Sequence, residues 1–532
     1  MKDIKDFWST KLFFDWDEEQ RFLIGGRIWV VLLYVIGIFF GAIFLNWGNT
    51  PLTYQDWRII NVPRIDIISD ALQYGMLPLH ASCGPCLHKL TDRFLVLPDV
   101  ITTPQMLLLR FLDIQTFIIF DLLLHYTAGV LGLLYLKNKF KLSLITYSFL
   151  FFLFNFNGYI EGHYAIGHVT WLGYFLFPWF FILVFQLVEG SADWRWVAKM
   201  SFLSFYIILA GGQHHFTWMM IFLAVVAVSS RRTFKWAVLA ILFSGFLSAI
   251  RLLPPVLALN SFTSDGRFDF RSGYPSIIGF FSTLVTMHGR IRNLNTELGY
   301  WEFDYYIGYV GVVFVLWFGV VRWLQDQWKR RQISIMLLPC MIVFLLSQGS
   351  VYKHTLYFLP LFASERISSR MVSIPMTLFM ILGAIYFQEF VSSEKLGVVR
   401  WLLGFSLMLL VYNLYSHLIL WKVDRIAPAI ADSQDRLKIL GNSIFVRSDP
   451  QYLLILLLGL VLTLTTALLL LFLVVREKKD VNRAMKKRLQ LSQRRYVCHI
   501  CRHSLNGRNC LRSAGPPGFA EMRADWERMS KC

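Results

Sequence analysis

The sequence predicts an all-α polytopic membrane protein with about 12 transmembrane helices. Of its 532 residues, 56% are hydrophobic and only 16% are charged, whereas a soluble domain carries about 25% charged residues. The apolar residues come in blocks of roughly 16 to 25, the length that crosses about 30 Å of hydrocarbon as a helix. Because a backbone in lipid must satisfy its own hydrogen bonds, these blocks are predicted to be helical.

The predicted spans follow these apolar blocks. They are 28–47, 113–136, 142–157, 169–188, 197–212, 215–229, 234–256, 306–323, 333–348, 371–391, 399–421 and 451–475. The segment before the first span, 1–27, is mixed in charge and has no cleavable signal-peptide pattern. The first span is therefore expected to act as the targeting signal.

Basic residues indicate the orientation of the chain. Lys and Arg cluster near span ends at 137–141, 231–235, 322–331 and 476–479, and all four clusters fall on the same side of the predicted membrane. By the positive-inside rule that side is the cytoplasm, so both termini are expected inside a cell (inner or cytoplasmic) membrane. The same rule accounts for the net charge of +18, and we expect the partner to be the lipid bilayer, with no nucleic acid.

Long segments lie on the opposite, extracytoplasmic face. Within a transmembrane module at 28–395 they are 48–112, 158–168, 257–305 and 349–370, and a C-terminal pair of helices at 396–475 contributes 422–450. They mix aromatic, aliphatic and charged residues, which is typical of ordered loops that carry a site. Residues 104–112 are predicted to form an interfacial amphipathic helix, and 476–532 a basic, poorly ordered cytoplasmic tail.

The first outer loop has the most informative residues. It contains Tyr54-Gln55-Asp56-Trp57, then Asp66 and Asp70, and later Cys83-Gly84-Pro85 and Leu97-Pro98. A carboxylate among aromatic residues near the membrane surface suits a general base. Taken alone, an outer-loop Asp is more often solvated or a helix cap.

The order of several short motifs adds to this pattern. After the loop come Gly167-His168 followed by Pro178, Gly211-Gly212-Gln213-His214, Leu252-Leu253-Pro254, Tyr306-Ile307-Gly308, and Arg366 with Arg370 after Leu359-Pro360. In this order they resemble the bacterial YfhO-type family of membrane glycosyltransferases, a branch of the GT-C superfamily. The resemblance covers about residues 25 to 395, and the chain departs from the family in its fewer later spans and its tail.

The resemblance implies a transferase that uses a polyprenyl-phosphate-linked sugar donor and an envelope acceptor, which is a glycan, teichoic-acid-like polymer, lipid or protein. Asp56 matches the acidic catalytic residue, and Glu161 is a second catalytic candidate. The remaining candidates are substrate-binding: Asp66, Asp70, His163, His168, His214, Arg366 and Arg370. Paired guanidinium groups four residues apart share a helix face and suit a leaving phosphate, although anchoring at the lipid headgroups is an equal alternative for them.

Other patterns leave alternatives open. Cys83-Gly84-Pro85-Cys86 copies a redox motif without the flanking strand pattern, so a structural disulfide or two thiols are expected instead. The histidines have no defined ligand spacing, so no cofactor is certain and a divalent metal remains open. A transporter or flippase of a lipid-linked substrate is the alternative function, but no similarity between the two halves of the sequence supports it.

Overall fold

The computed structural model describes residues 24–50, 52–83, 87, 91–258, 270–287, 299–330, 334–359, 365–393, 399–426 and 443–503. The protein is mostly helical. Its α-helices of eight or more residues in these ranges are Ile24–Phe44, Val62–Gln73, Ile114–Lys139, Leu144–Asn155, Gly158–Ala165, Phe177–Glu189, Trp194–Leu209, Gln213–Ser229, Arg231–Leu247, Arg322–Arg330, Leu337–Leu346, Ser373–Ser393, Val399–Leu420 and Pro450–His503. Shorter α-helices are Ala249–Leu252, Ile277–Thr283, Gly308–Val312, Gly349–Thr355 and Val423–Ile426, and 3₁₀ or π turns extend several of them.

Among the described residues, seven helices are long and apolar enough to cross a membrane. They are Gly26–Phe44, Ile114–Lys139, Val169–Glu189, Gly308–Lys329, Ser368–Ser392, Trp401–Arg425 and Pro450–Asp480. An eighth is formed if the bent pair Arg231–Leu247 and Ala249–Ala258 is one span. A helical membrane protein is thus confirmed, whereas the count of 12 spans is not.

The other four predicted spans correspond to shorter helices. The block 142–157 forms a helix of 12 residues, Leu144–Asn155, in which every residue is buried. The block 333–348 forms Leu337–Leu346, of 10 residues. A helix that is apolar on all sides is buried in protein or in lipid, and composition alone does not separate the two cases.

The first outer loop contains a helix, Val62–Gln73, and a short strand, His80–Ser82. This strand pairs antiparallel with Ser443–Phe445, in the segment before the last span. The small sheet is a departure from the all-α prediction. Residues Pro104–Arg110 form a 3₁₀ helix with Met106 buried and Leu107 exposed, so this stretch has the expected two faces.

The last helix extends beyond the membrane-spanning length. It runs from Pro450 to His503, so 476–503 is helical, in contrast to the predicted poorly ordered tail. This stretch is rich in Lys and Arg and has no Gly or Pro, a composition that favours helix. The chain divides into two compact units, Met1–Leu468 and Leu469–Cys532, and the predicted tail residues 504–532 lie outside the described part.

Within the first unit, the predicted outer segments contact one another. The Asp56 amide donates to the Ile166 carbonyl at 3.0 Å, and the Gly158 amide to the Tyr306 carbonyl at 3.0 Å. The Arg271 amide donates to the Arg366 carbonyl at 2.8 Å. The first and third hydrogen bonds each join two predicted outer segments, and the second joins 158–168 to the first residue of the predicted span 306–323.

Candidate active site

The turn that carries Asp56 packs against the turn that carries His168. Gly167 has φ of +105°, in the left-handed region, and a Cβ there would collide with the Trp57 amide nitrogen. Asn61 donates to the Gly167 carbonyl at 2.6 Å. Only glycine allows this close approach, which explains the glycine of the Gly167-His168 motif.

Asp56 is the end of a chain of three hydrogen-bonding side chains. Its Oδ2 lies 3.0 Å from His168 Nε2, and His168 Nδ1 lies 2.7 Å from His163 Nδ1. An ionised carboxylate only accepts hydrogen bonds, so His168 donates through Nε2. The two facing Nδ1 atoms share one proton, so His163 controls the tautomer and orientation of His168.

The charges around Asp56 keep it ionised. Burial raises the pKa of Asp56. The hydrogen bond and charge of His168 and the charges of Arg370 and Arg64 lower it by more than burial raises it, so the net shift is downward. The side chain is 32% exposed, so it can reach an external molecule. Burial and the nearby cations hold His163 neutral by lowering its pKa well below the usual value.

Arg370 is fixed beside this chain. Its Nε and Nη2 donate to the two oxygens of Glu302, both at 2.7 Å, and its guanidinium lies 4.8 Å from the centre of the Trp171 ring. The charge of Arg370 lowers the pKa of the Glu302 carboxyl, against the upward effect of burial. Glu302 thus occupies Nε and Nη2 of Arg370, and a phosphate would meet Nη1.

Arg366 interacts electrostatically with Arg370 and Asp56. Burial and the charges of Arg370 and Arg271 lower its pKa, whereas the charges of Glu302 and Asp56 oppose that shift. Three guanidinium groups thus act on one another near two carboxylates. Guanidinium groups such as these can bind a phosphate.

His214 is placed by a carboxylate that the sequence analysis missed. Its Nδ1 lies 2.9 Å from Glu365 Oε2, and Trp218 Nε1 donates to the same oxygen at 2.8 Å. The His214 ring also lies against Trp171, with centroids 5.5 Å apart. Trp171 therefore contacts both this pair and Arg370.

Glu161 belongs to a separate, buried group. Its Oε2 lies 2.7 Å from His417 Nδ1, and His417 Nε2 lies 3.0 Å from Asp304 Oδ2. Trp421 also donates to Asp304 at 2.8 Å. The charges that act on Glu161 are those of His417 and Asp304, so Glu161 is not brought together with Asp56.

Asp66 and Asp70 lie one turn apart on the helix Val62–Gln73. Burial and the charge of Asp66 raise the pKa of Asp70. The largest influences on the pKa of Asp56 are burial, His168, Arg370 and Arg64. Asp66 and Asp70 are not among them.

Residues that the sequence analysis missed hold the candidates in place: Arg271, Glu302, Asp304, Glu365 and His417. A signal existed for His417, an ionisable residue inside an apolar block, which is a functional hypothesis by default. Glu302 and Asp304 alternate with aromatic residues in Trp301-Glu302-Phe303-Asp304, which also indicates buried charge. Glu365 and Arg271 had no comparable signal.

Within the described ranges, no group of three or more His, Cys, Asp or Glu side chains is arranged to hold a metal ion. Cys83 is disulfide-bonded, and residues 84–86 of the Cys-Gly-Pro-Cys motif lie outside the described part. His168 contacts His163 and Asp56. His214 contacts Glu365. The side chains around Asp56 offer acid–base and electrostatic groups.

Comparisons of the chain with protein-family models, with curated proteins and with solved structures found no match. The likeness to YfhO-type glycosyltransferases thus rests on the motifs alone.

Proposed function

We propose that this protein is an integral membrane glycosyltransferase of the GT-C type. It would move a hexosyl or pentosyl group from a polyprenyl-phosphate-linked donor to a cell-envelope acceptor on the extracytoplasmic face. In this proposal the chain crosses the cytoplasmic membrane with both termini inside, and 48–112 lies outside. The observation that carries it is a partly exposed, ionised carboxylate, Asp56, within the electrostatic field of Arg366 and Arg370.

The two kinds of group have complementary roles in sugar transfer. Asp56 takes the proton of the acceptor hydroxyl as its oxygen attacks C1 of the sugar. The bond between C1 and the phosphate oxygen breaks, and the polyprenyl phosphate leaves with the electron pair. Fixed guanidinium groups stabilise the negative charge that grows on that phosphate.

His168 and Glu302 support these groups. His168 donates to the oxygen of Asp56 that faces it, which leaves the other oxygen for the acceptor. Glu302 holds Arg370 against Trp171, so that its position does not depend on the donor. Groups fixed before the substrate arrives need no reorganisation during the reaction.

The test is Asp56→Asn, which keeps the size of the side chain and removes its basicity. Turnover should fall by roughly 10²-fold or more, with little change in donor binding. The measurement is the release of polyprenyl phosphate from a panel of radiolabelled polyprenyl-phosphate hexoses and pentoses, using purified protein and envelope membranes as acceptor.

A matched control is Asp424→Asn, which removes a carboxylate that pairs with Lys422 at 2.8 Å and has no part in the proposed reaction. It should leave turnover unchanged. Full turnover in Asp56→Asn would contradict the proposal, and so would a wild-type protein that releases no product from any donor in the panel.

A further inference from the structure

A short helix in the third predicted outer segment is joined at both ends to apolar helices. It is Ile277–Thr283, seven residues long. Just before it, the Tyr274 amide donates at 3.0 Å to the carbonyl of Ser347, the residue that ends a shorter apolar helix. Just after it, the Leu284 carbonyl accepts from the Gly308 amide at 3.1 Å, and a candidate span begins at Gly308. The short helix therefore lies beside the end of that span.

This helix has a buried face and an exposed face, and both are apolar. Phe280 is 1% exposed, and its ring packs edge-on against Phe344 with centroids 5.2 Å apart. Ile277, Ile278 and Phe281 share the other face, and Ile278 is 81% exposed. The face of a helix that meets water is normally polar. An apolar exposed face therefore indicates contact with something other than water.

The candidate span next to the helix has an exposed apolar stripe. Tyr309, Val313 and Trp317 are each at least half exposed, and their spacing of four residues places them on one side of the span. In a helix that crosses the membrane, such a side contacts lipid chains. The stripe begins one residue after Gly308, which is bonded to the end of the short helix.

The apolar helix at the other end, Leu337–Leu346, has a stripe of the same kind. Leu338, Met341 and Leu345 are exposed and are spaced along one side. This stripe ends two residues before Ser347, which is bonded to the residues that precede the short helix. Both neighbours of the short helix thus have an exposed apolar side that reaches it, so lipid is the partner that fits its own exposed face.

We propose that Ile277–Thr283 is an interfacial helix whose Ile277, Ile278 and Phe281 side chains insert among the acyl chains of the adjacent membrane leaflet. The inference concerns contact with lipid and does not depend on sugar transfer. Interfacial helices bury their apolar face about 5–10 Å into the boundary between headgroups and acyl chains. The helix then lies in the plane of the membrane surface, next to the start of the span.

The residues before this helix lead to the arginines of the candidate site. The Arg271 amide donates to the Arg366 carbonyl at 2.8 Å, and the Ser368 amide donates to the Ser272 carbonyl at 2.9 Å. A short stretch that includes the buried Tyr274 joins these residues to the helix. A helix held in the leaflet therefore keeps this stretch at the level of the lipid headgroups, where lipid phosphates lie.

The experiment uses the full chain in phosphatidylcholine nanodiscs that contain a phosphatidylcholine with a photoactivatable diazirine in the upper part of one acyl chain. Crosslinks are mapped to residues by mass spectrometry. They should be at least about tenfold more frequent in Ile277–Thr283 than in the control helix Gly349–Thr355. The control also has seven residues and lies in another predicted outer segment, but its exposed residues include the polar Ser350, Lys353 and His354.

Equal crosslinking of the two helices would overturn the proposal. That result is expected if the exposed face meets water, another part of the chain or a second copy of the protein. The comparison needs no substitution, so it stands even if a variant fails to insert. Loss of sugar transfer would not affect it.

Ile278→Asp tests the exposed face directly. The side chain is exposed, so the packed face stays intact, and a carboxylate among acyl chains is unfavourable. Crosslinking of Ile277–Thr283 should fall by about tenfold, while that of the span Gly308–Lys329 stays at the wild-type level and reports correct insertion. Ile278→Leu keeps an apolar side chain and Lys353→Asp places the same carboxylate on the control helix, so both should leave crosslinking of Ile277–Thr283 unchanged. Wild-type crosslinking in Ile278→Asp would overturn the proposal.

Discussion

Two carboxylate–histidine pairs each have one member on or just after the short helix Gly158–Ala165, and their surroundings differ. Asp56 is partly exposed, pairs with His168 and is near three arginines. Glu161 is buried and pairs with His417, which also faces the buried Asp304. Cations lower the pKa of Asp56, whereas burial raises that of Glu161 to about 7.

The two carboxylates differ in basicity and in how easily a substrate can reach them. By pKa alone, Glu161 is the better match to a general base at neutral pH. However, a general base must first reach the proton that it abstracts, and Asp56 has both the exposed face and the neighbouring guanidinium groups. We therefore propose base catalysis for the exposed pair and a structural role for the buried one.

The largest expected effect is the loss of the imidazole in the buried group. His417→Leu leaves Glu161 and Asp304 as buried carboxylates without their shared partner. Removing one member of a buried ion pair costs about 3–5 kcal/mol, so the free energy of unfolding should fall by that order. Denaturant titration of the purified protein measures it. The exposed His354 offers a control, as His354→Leu should change the free energy of unfolding by less than about 0.5 kcal/mol. Equal losses of stability in His417→Leu and His354→Leu would contradict the buried, charge-paired role of His417.

The exposed pair should respond in activity rather than in stability. His168→Ala removes the hydrogen bond and charge that lower the pKa of Asp56, while burial, which raises it, remains. The proposed reaction requires the ionised carboxylate of Asp56. Activity is therefore present above the pKa of Asp56 and is lost as the pH falls through that pKa. The acid limb of the pH–rate profile should therefore move to higher pH, and turnover at neutral pH should fall by about tenfold.

His168→Gln is the conservative variant for this prediction. Its amide can still donate to Asp56 but carries no charge, so the acid limb should lie between those of the wild type and His168→Ala. The charges of Arg370, Arg64, Arg366 and Glu302 are unchanged in both variants. An acid limb at the wild-type pH in His168→Ala would show that His168 does not act on Asp56.

The smallest expected effect concerns the pH dependence of stability. The folded-state pKa of Glu161, about 7, lies above the ordinary value of 4.5, so folding favours its protonated form. The resulting stabilisation is full below pH 4.5 and is lost as pH rises through about 7. Glu161→Gln should remove this dependence. This pH dependence is measured as the difference between the thermal unfolding midpoints at pH 5 and pH 8. If that difference were the same in the wild type and in Glu161→Gln, it would argue against a buried, protonated Glu161.

The sequence predicts where helices form better than it predicts which residues contact one another. Long apolar blocks such as 371–391 and 451–475 predict helices directly, because about 20 residues are needed to cross the hydrocarbon. Leu144–Asn155 has the same composition but is a short helix buried in protein, and hydropathy does not distinguish these environments. For that reason the sequence predicts about 12 spans, whereas seven or eight helices of the described residues are long enough to cross a membrane.

In the candidate site, too, local motifs could be predicted from the sequence, whereas contacts between distant residues could not. Gly167-His168 was visible as a motif because a local backbone constraint requires glycine. The partners of Glu161 and Arg370 were not, since His417 lies 256 residues from Glu161 and Glu302 lies 68 residues from Arg370. Such pairs depend on how helices pack, and neither spacing nor periodicity in one sequence records that.

The strand His80–Ser82 also has a consequence for the order in which the protein is made. Its partner, Ser443–Phe445, precedes the last span, and the nearby contact from His80 to Asp449 joins residues 369 positions apart. At a synthesis rate of 5–20 residues per second, about 20–70 s pass between the two halves of this sheet. The first outer loop therefore emerges early and waits, with an unpaired strand edge, until the ribosome has nearly finished the membrane domain.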